Sequence, residues 1–270
     1  SAKGASSCVR ARPSSSAAQS RDVYMDVRVF ESRAVAERAV AAEVAALIQA
    51  DPETVLGLAS GDTPTGVYGE LVRLHHVGLD LSRVRTFNLD EYLGVDPDDP
   101  RSFHAFMRRH LFDPAGIPSA HVRFPGGLDS GRTTTVDERA HQCADFEREI
   151  REAGGVALQL LGIGRNGHIG FNEPGSIRTS RTRLVELESA TRADAAPTFG
   201  RLDLVPTHAL TMGVATILDA HRVRVMAFGS GKRTLVKRTL DERLNPAWPA
   251  SFVHEHPDAQ LIVDREAMPT

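Results

Sequence analysis

Short apolar runs alternate with amphipathic stretches along most of the chain. Runs typical of buried strands are VRVF from Asp26, Thr54–Leu58, Val84–Leu89, Val156–Leu161, Leu184–Leu187, Arg224–Phe228 and Gln260–Val263. Apolar residues at helical spacing predict helices at Ser32–Gln49, Val67–His75, Ser102–Leu111, Val136–Ala153 and from Lys232 onwards. This alternation is typical of a doubly wound α/β fold with a mostly parallel sheet. Because no repeat or linker interrupts the alternation, residues 26–270 are predicted to form a single domain.

The first 25 residues differ in composition from the rest of the chain. They are rich in Ser, Ala and Arg, and they contain no acidic residue before Asp22 and no apolar block. A secretory signal is therefore not expected. The composition fits an organellar transit remnant, and it fits equally a leader or a mis-assigned start upstream of Met25. Residues 1–25 are predicted to be a flexible tail.

Composition and charge narrow the class of protein. The 270 residues are 41% hydrophobic and 25% charged, as in an ordinary globular protein. The net charge of -3, without a basic run, gives no general attraction for nucleic acid or anionic lipid. No apolar stretch approaches a membrane span of roughly 18–20 residues. Two cysteines, Cys8 and Cys143, argue against a disulfide framework. We expect a soluble cytoplasmic protein with neither a nucleic-acid nor a membrane partner.

Candidate chemistry is expected in the loops after strands, because open α/β sheets bind ligands beyond the carboxyl ends of their strands. The first such loop is Ser60-Gly61-Asp62-Thr63-Pro64. Its small residues let backbone N–H groups and a helix N-terminus face an anion, with two hydroxyls as further donors, which suits a phosphate. An ordinary N-capped turn explains the same residues, and Asp62 places a negative charge at the loop.

The second loop, in TFNLDEYLG, ends a strand with two adjacent acids, Asp90 and Glu91. Neighbours on an extended chain point to opposite sides, so at most one acid can face a pocket while the other pairs with structure. A carboxylate at this position can act as a general base. A helix cap or a surface acid is the alternative.

The third segment, GIGRNGHIGFNEPGS, contains the spacing of a dinucleotide fingerprint at Gly162, Gly164 and Gly167. That motif requires a helix to begin within it. The residues that follow contain Gly170, Pro174 and Gly175 and show no helical periodicity, so nicotinamide binding is not predicted.

The same segment carries Asn166, His168 and Glu173 on a glycine-lined approach. An imidazole with a carboxylate on its second nitrogen can move protons to and from a sugar or carbonyl oxygen. A buried histidine with satisfied hydrogen bonds is the alternative. No metal is predicted, because the remaining histidine-rich patch, His254-Glu-His256, resembles a solvated loop.

The motifs SGDTPTGVY, FNLDEYLGV, GIGRNGHIGFNEPGS, SRTR, VPTHALTMGVATIL and FGSGK, in that order, resemble the glucosamine-6-phosphate deaminase (isomerising) family. The resemblance runs from about residue 26 to 266. It implies a modified Rossmann-like fold, shared with 6-phosphogluconolactonases and ribose-5-phosphate isomerases. It also implies conversion of glucosamine 6-phosphate and water into fructose 6-phosphate and ammonia, without an organic cofactor. The oligomeric state stays open, because the family includes monomers and hexamers.

The resemblance further implies catalytic roles. Asp90 matches the base that takes the C2 proton from the open-chain sugar and returns it at C1. His168 matches the residue that opens the pyranose ring, with Glu173 and Asn166 as its orienting partners. Because an Asn side chain cannot share a proton, Glu173 is expected to set the tautomer of His168.

For the phosphate, the resemblance implies a loop of Ser60, Gly61, Asp62 and Thr63 with Lys232 as its cationic partner. Only three of the 32 basic residues are lysines, and a compact ammonium suits a point contact with phosphate. Many members of the family add an arginine where this chain has Pro197. Arg192 and Arg201 are the candidates to replace it.

Departures from the family pattern leave alternatives open. Pro197 and Asp62 favour an isomerase or deaminase of another amino-sugar phosphate. A lactonase or a non-catalytic sugar-phosphate sensor fits the motifs less well. In members activated by N-acetylglucosamine 6-phosphate, a Lys accompanies the positions matched by Ser176 and Arg183. Val185 stands in place of that Lys, which predicts weak or absent activation.

Overall fold

The computed structural model of the protein describes residues 25–126 and 135–269. The predicted tail lies outside the described residues except for Met25, whose side chain packs in the core at 5% exposure. The strands are β1 (Asp26–Phe30), β2 (Val55–Leu58), β3 (Arg85–Asn88), β4 (Asp90–Tyr92), β5 (Val122–Arg123), β6 (Leu158–Gly162), β7 (Arg183–Glu186), β8 (His208–Thr211), β9 (Val223–Ala227) and β10 (Ala259–Asp264). The helices are α1 (Arg33–Ala50), α2 (Thr65–His76), α3 (Phe103–Met107), α4 (Val136–Glu152), α5 (Ser189–Phe199), α6 (Val214–Leu218) and α7 (Arg233–Asp241).

Seven of the described strands form one parallel sheet in the order β1-β10-β9-β6-β2-β3-β5. From β2 the chain proceeds through β3 and β5 towards one edge. It then returns to the other side of β2 and proceeds through β6, β9 and β10. The strand order therefore reverses between β2 and β6, which is where an open α/β sheet forms its ligand crevice.

Both faces of this sheet are buried, because successive side chains of each strand point to opposite sides. On one face, Leu56 and Leu158 pack with residues of α1 and α2. On the other face, Val55 and Leu161 pack with residues of α4, α6 and α7. The doubly wound, mostly parallel single-domain fold predicted from the sequence is confirmed.

A second, antiparallel sheet of β4, β8 and β7 was not predicted. Leu89 joins the two sheets: its N–H donates to Leu58 of β2 at 2.9 Å, and its carbonyl accepts from Met212 at 2.7 Å. The predicted strand Val84–Leu89 thus continues, after this one residue, into a different sheet. The predicted strand at Leu184–Leu187 is confirmed as β7, but it belongs to the antiparallel sheet.

The antiparallel sheet and α5 share a small aromatic core. The Tyr92 ring lies 5.4 Å from that of Phe171 and 5.2 Å from that of Phe199, measured between centroids. Phe199 is the last residue of α5, so these contacts hold that helix over the carboxyl end of the parallel sheet. Sequence patterns did not predict α5, because Pro197 and Gly200 interrupt its helical signal.

Candidate active site

A cleft of about 610 Å³ opens at the carboxyl ends of β6 and β9. Its walls come from β4, the loop after β6, α5 and the turn that leads into α7. The lining residues include Tyr92, Gly164, Arg165, His168, Thr191 and Lys232. Two residues predicted from the sequence, His168 and Lys232, therefore lie in one crevice beside the reversal of strand order.

The two acids of β4 have opposite environments. Glu91 accepts hydrogen bonds from the N–H groups of Tyr92 at 2.8 Å, Phe103 at 3.0 Å and His104 at 2.8 Å. Two of these donors begin α3, so the carboxylate satisfies N–H groups that a helix leaves free at its start. Burial raises the pKa of Glu91 to about 7, and the three N–H groups oppose that rise. The prediction that one acid pairs with structure is confirmed for Glu91.

Asp90 points to the other side of β4 and is 6% exposed. Within the described residues its carboxylate accepts no hydrogen bond. Burial, with a smaller contribution from Glu91, raises the pKa of Asp90 to about 8. A carboxylate in such surroundings binds a proton readily near neutral pH, as a general base must.

Gly170 brings the loop after β6 against Asp90. A Cβ at position 170 would lie 3.4 Å from Asp90 Oδ2 and 3.0 Å from Thr211 Oγ1, and the backbone has a φ of +55°. Both the space and the conformation therefore favour glycine. Only Ile169 separates Gly170 from His168 along the chain. The short loop that carries His168 therefore also lies against Asp90 of β4.

The loop after β6 is folded tightly around His168. Gly164 N donates to His168 O at 2.9 Å, and the imidazole covers the glycine backbone so closely that a Cβ at position 164 would lie 2.0 Å from His168 Nε2. The neighbouring Gly167 carbonyl accepts from Ala250 N at 2.8 Å. The loop is therefore anchored on both sides of the imidazole.

Asn166 and Glu173 contact the other nitrogen of the His168 ring. His168 Nδ1 lies 2.8 Å from Asn166 Oδ1 and 3.4 Å from Glu173 Oε2. An amide oxygen only accepts, so Nδ1 carries the hydrogen and Nε2 is left as the acceptor. The nearer partner that sets the tautomer is Asn166, whereas the sequence led us to expect Glu173. Burial would raise the pKa of Glu173, but polar neighbours led by His168 hold it below its ordinary value.

Lys232 reaches the cleft from the turn before α7. Its Nζ donates to Ile163 O at 2.8 Å, and burial lowers its pKa, while the charge of Asp62 acts in the opposite direction. The lysine is thus half-buried beside the loop after β6, with Asp62 of the loop after β2 close enough to affect it. This places an ammonium between the two loops that flank the crevice.

The loop after β2 carries the residues predicted to bind phosphate. Ser60 Oγ is buried and makes no hydrogen bond within the described chain. Asp62 is hydrogen-bonded to a residue outside the loop: Arg33 donates to its Oδ2 at 3.0 Å and to its carbonyl at 2.6 Å. Thr63 packs against Gly162 of β6. The predicted loop of Ser60, Gly61, Asp62 and Thr63 therefore adjoins β6 and holds an unused hydroxyl.

The structure gives Arg192 a role other than the predicted phosphate contact. Its guanidinium donates to Leu202 O at 3.1 Å and to Val205 O at 3.0 Å, and the residue is not among those that line the cleft. Arg192 therefore fastens the segment after α5. The second candidate, Arg201, is exposed and pairs with Asp203.

Sequence reasoning missed several cleft residues. Arg165, in the loop after β6, forms an ion pair with Asp194 of α5, and both line the cleft. Thr191 of α5 lines it as well. Asp194 and Thr191 were missed because α5 was not predicted. Arg165 lies within the segment GIGRNGHIGFNEPGS, and its positive charge was the feature from which it could have been identified as a cleft residue.

The histidine-rich patch near the carboxyl terminus is not a solvated loop, contrary to the prediction. His254 and His256 are 5% and 4% exposed, and the Nε2 of each ring donates a 2.6 Å hydrogen bond to a backbone carbonyl, of Thr239 and Ala220 respectively. Among residues 25–126 and 135–269, no cluster of three or more His, Cys, Asp or Glu is arranged to hold a metal ion. In the same residues no helix is both long and apolar enough to cross a bilayer.

Curated relatives cover most of this chain. A glucosamine-6-phosphate deaminase of Bacillus velezensis is 47% identical over 225 residues, which are 83% of this chain and 90% of that protein. A protein named glucosamine-6-phosphate deaminase 1 from Giardia intestinalis is 43% identical over 230 residues, 84% of each chain.

Solved structures share the fold. A monomeric glucosamine-6-phosphate deaminase superposes with a TM-score of 0.84 at 38% identity, covering 90% of this chain and 98% of its own. A 6-phosphogluconolactonase from Trypanosoma brucei has a TM-score of 0.70 at 20% identity, covering 90% and 97% of the two chains, and this similarity concerns the fold alone.

The family model described as glucosamine-6-phosphate isomerases/6-phosphogluconolactonase matches residues 31–263. That span includes every strand from β2 to β9, most of β10, and every residue that we have placed in or beside the cleft. The chain belongs to the glucosamine-6-phosphate isomerase/6-phosphogluconolactonase family.

Proposed function

We propose that this protein converts glucosamine 6-phosphate and water into fructose 6-phosphate and ammonia. One observation carries the proposal most strongly: Asp90, a buried carboxylate that accepts no hydrogen bond from the described residues, lies against the glycine-lined loop that carries His168, an imidazole with a set tautomer. The deaminase names of relatives up to 47% identical support the same reaction. Breakdown of amino sugars in the cytoplasm is the corresponding physiological role.

The first step opens the pyranose ring. His168 Nε2, left as an acceptor by the hydrogen on Nδ1, takes the proton of the anomeric hydroxyl. The imidazolium then returns a proton to the ring oxygen as the C1–O5 bond breaks. Asn166 Oδ1 holds the imidazole throughout, and Glu173 stabilises its positive charge from 3.4 Å. The product of this step is the open-chain aldehyde.

The second step moves a proton from C2 to C1. Asp90 takes the C2 proton and the aldehyde oxygen takes a proton from the ammonium group of the substrate, so the amino aldehyde becomes an enolamine with C1 doubly bonded to C2. The protonated Asp90 then delivers its proton to C1, and the double bond moves to join C2 to the nitrogen, which gives an iminium. Water adds to C2 and ammonia leaves, so fructose 6-phosphate forms. A raised pKa suits Asp90 to this shuttle, because the carboxyl must accept and release one proton in each turnover.

The phosphate binds between the loop after β2 and Lys232. Gly61 and Thr63 offer backbone N–H groups at the start of α2, and the unpartnered Ser60 hydroxyl is a further donor. Lys232 supplies the positive charge. Among the described residues, Arg165 is the arginine that lines the cleft, whereas Pro197 stands where many family members have an arginine and Arg192 is engaged elsewhere.

A reduced response to N-acetylglucosamine 6-phosphate accompanies this proposal. Arg183 already donates to Asn172 Oδ1 at 2.9 Å and to Ser176 Oγ at 3.1 Å, and Val185 offers no charge beside it. We expect less than about a twofold increase in rate when the acetylated sugar phosphate is added at sub-saturating substrate. A clear sigmoidal response that the effector abolishes would contradict this expectation.

The test of the proposed reaction measures both products. Purified protein is incubated with glucosamine 6-phosphate, and ammonia and fructose 6-phosphate are quantified in the same sample. Galactosamine 6-phosphate and 6-phosphogluconolactone are run beside it. We expect equimolar products from glucosamine 6-phosphate alone. Turnover of galactosamine 6-phosphate instead would favour the alternative amino-sugar substrate, and absence of both products would refute the proposal.

A further inference from the structure

The amide of Asn166 makes four contacts that together fix its orientation. Its Oδ1 accepts from His168 Nδ1 at 2.8 Å and from His168 N at 3.3 Å. Its Nδ2 donates to Glu173 Oε2 at 2.7 Å and to Glu188 Oε2 at 3.1 Å. Each hydrogen of the amide therefore has a carboxylate acceptor of its own.

This arrangement determines which way the amide can face. Carboxylates accept hydrogen bonds and, when ionised, donate none. Rotating the amide by half a turn would place Oδ1 against two carboxylates and Nδ2 against the imidazole. His168 Nδ1 would then have to accept, and the hydrogen would move to Nε2. The two acids consequently set the tautomer of His168 through Asn166.

Glu173 alone is a weaker constraint than the pair. The same oxygen, Oε2, that accepts from Asn166 also lies 3.4 Å from His168 Nδ1, so it can serve either group. Glu188 contacts Asn166 and makes no hydrogen bond to the imidazole. It stands at the residue before α5, the helix that forms one wall of the cleft.

We propose that Glu188 is a positioning residue: its carboxylate holds the Asn166 amide so that His168 keeps Nε2 free as the proton acceptor. The consequence for turnover rests on the proposed function. The consequence for the tautomer does not, because it exists in the unliganded protein. Glu188 thereby couples the placement of α5 to the protonation pattern of the imidazole.

The first test reads the tautomer directly. Nitrogen-15 NMR of protein labelled at histidine distinguishes a protonated from an unprotonated ring nitrogen, and the His168 signals are assigned by their loss in His168→Gln. We expect Nδ1 protonated and Nε2 bare in the unaltered protein, and a mixture of tautomers in Glu188→Ala. Glu186→Ala, which removes a nearby exposed glutamate of β7, is the matched control and should leave the signals unchanged.

The second test reads turnover. Loss of one hydrogen bond at the exposed edge of the network should lower kcat about three- to tenfold, with KM nearly unchanged, because the phosphate contacts are untouched. Glu188→Gln keeps an acceptor oxygen and should retain most of kcat. Glu186→Ala should match the unaltered protein.

A double variant separates positioning from a general loss of stability. In the Asn166→Asp background there is no amide to orient, so adding Glu188→Ala should cause no further loss of kcat. An equal loss in both backgrounds, or an unchanged tautomer in Glu188→Ala, would overturn the proposal. Absence of turnover in the unaltered protein would refute the proposed function instead, and the tautomer measurement would still test Glu188.

Discussion

The two faces of β4 use the same chemical group in opposite ways. On one face, the carboxylate of Glu91 accepts hydrogen bonds from three N–H groups and holds the start of α3. On the other face, the carboxylate of Asp90 is also buried and accepts no hydrogen bond within the described residues. Glu91 therefore stabilises the fold around β4, whereas Asp90 has no hydrogen bonds from the described residues to offset the free-energy cost of its burial.

This difference identifies the acid that does the chemistry. Burying a carboxyl without partners favours its neutral form, and folded proteins keep such groups chiefly where they act. Three backbone N–H groups occupy most of the roughly four lone-pair sites of the Glu91 carboxylate, which leaves little of it for a substrate. The contrast predicts that changes on the Asp90 face alter turnover, whereas changes on the Glu91 face alter stability.

The largest effect is expected from Asp90→Asn. We expect kcat to fall about 10³-fold, because the amide cannot accept the C2 proton, while substrate binding changes little. Turnover and binding are measured separately, by product assay and by calorimetry. Retained turnover would remove Asp90 from the mechanism and with it the contrast between the two faces.

The same substitution should raise stability at alkaline pH. The unfolded chain releases the Asp90 proton near the ordinary value of 3.8, whereas the folded protein retains it up to about 8. Between these values the folded state binds the extra proton, so stability falls as pH rises. An Asn side chain does not ionise in this range, so it causes no such loss of stability as pH rises. Thermal unfolding at pH 8 should give a higher Tm for Asp90→Asn than for the unaltered protein, and a lower Tm would contradict the burial argument.

Glu91→Ala should be the most destabilising change on the opposite face. It leaves the N–H groups of Tyr92, Phe103 and His104 without their acceptor, which should cost about 2–4 kcal/mol of unfolding free energy. Chemical denaturation measures this loss. If stability were unchanged while kcat fell as far as in Asp90→Asn, the assignment of the two faces would be reversed.

The pH dependence of kcat/KM tests how the charge of Glu91 affects Asp90, and the expected effect is smaller than those of the preceding substitutions. Asp90 must be ionised to accept the proton, so kcat/KM should rise with pH towards a plateau above about pH 8. Glu91→Gln removes the neighbouring negative charge that adds to the rise in the Asp90 pKa, so its profile should shift to lower pH by about half a unit. A shift to higher pH would contradict this cause.

The smallest effect is expected from Ser102→Ala. Ser102 Oγ caps α3 by accepting from Ala105 N at 2.9 Å, on the side of β4 that Glu91 faces. Removing the cap should cost about 1 kcal/mol and leave kcat unchanged. A measurable loss of kcat would show that α3 affects the cleft after all.

Local patterns predicted the parallel sheet well. Six of the seven apolar runs are strands of the parallel sheet, and the seventh, Leu184–Leu187, corresponds to β7 of the antiparallel sheet. The two-residue β5 was not predicted. The antiparallel sheet escaped prediction because β4 follows β3 after one residue and the break leaves no mark in the pattern. The helix α5 escaped because its contacts to Tyr92, not its own propensity, hold it in place.

The sequence predicted which residues belong to the candidate site, but it did not predict which of them contact one another. Alternation along β4 correctly indicated that one of two acids would pair with structure, since that rule is local. The sequence led us to expect that Glu173 sets the tautomer of His168, whereas Asn166 is the nearer partner. Sequence patterns could not show this, because the orientation of the Asn166 amide depends on two carboxylates that lie 7 and 22 residues from it along the chain. The engagement of Arg192 with carbonyls after α5 likewise depends on tertiary contacts.

The most direct test of the account follows the hydrogen at C2. Glucosamine 6-phosphate carrying deuterium at C2 is incubated with the unaltered protein or with Asp90→Asn, and NMR records both loss of the label from C2 and interconversion of the anomers. We expect rapid loss with the unaltered protein. With Asp90→Asn we expect the label to stay at C2 while His168 still accelerates ring opening. Loss of the label from Asp90→Asn at the unaltered rate would contradict the account.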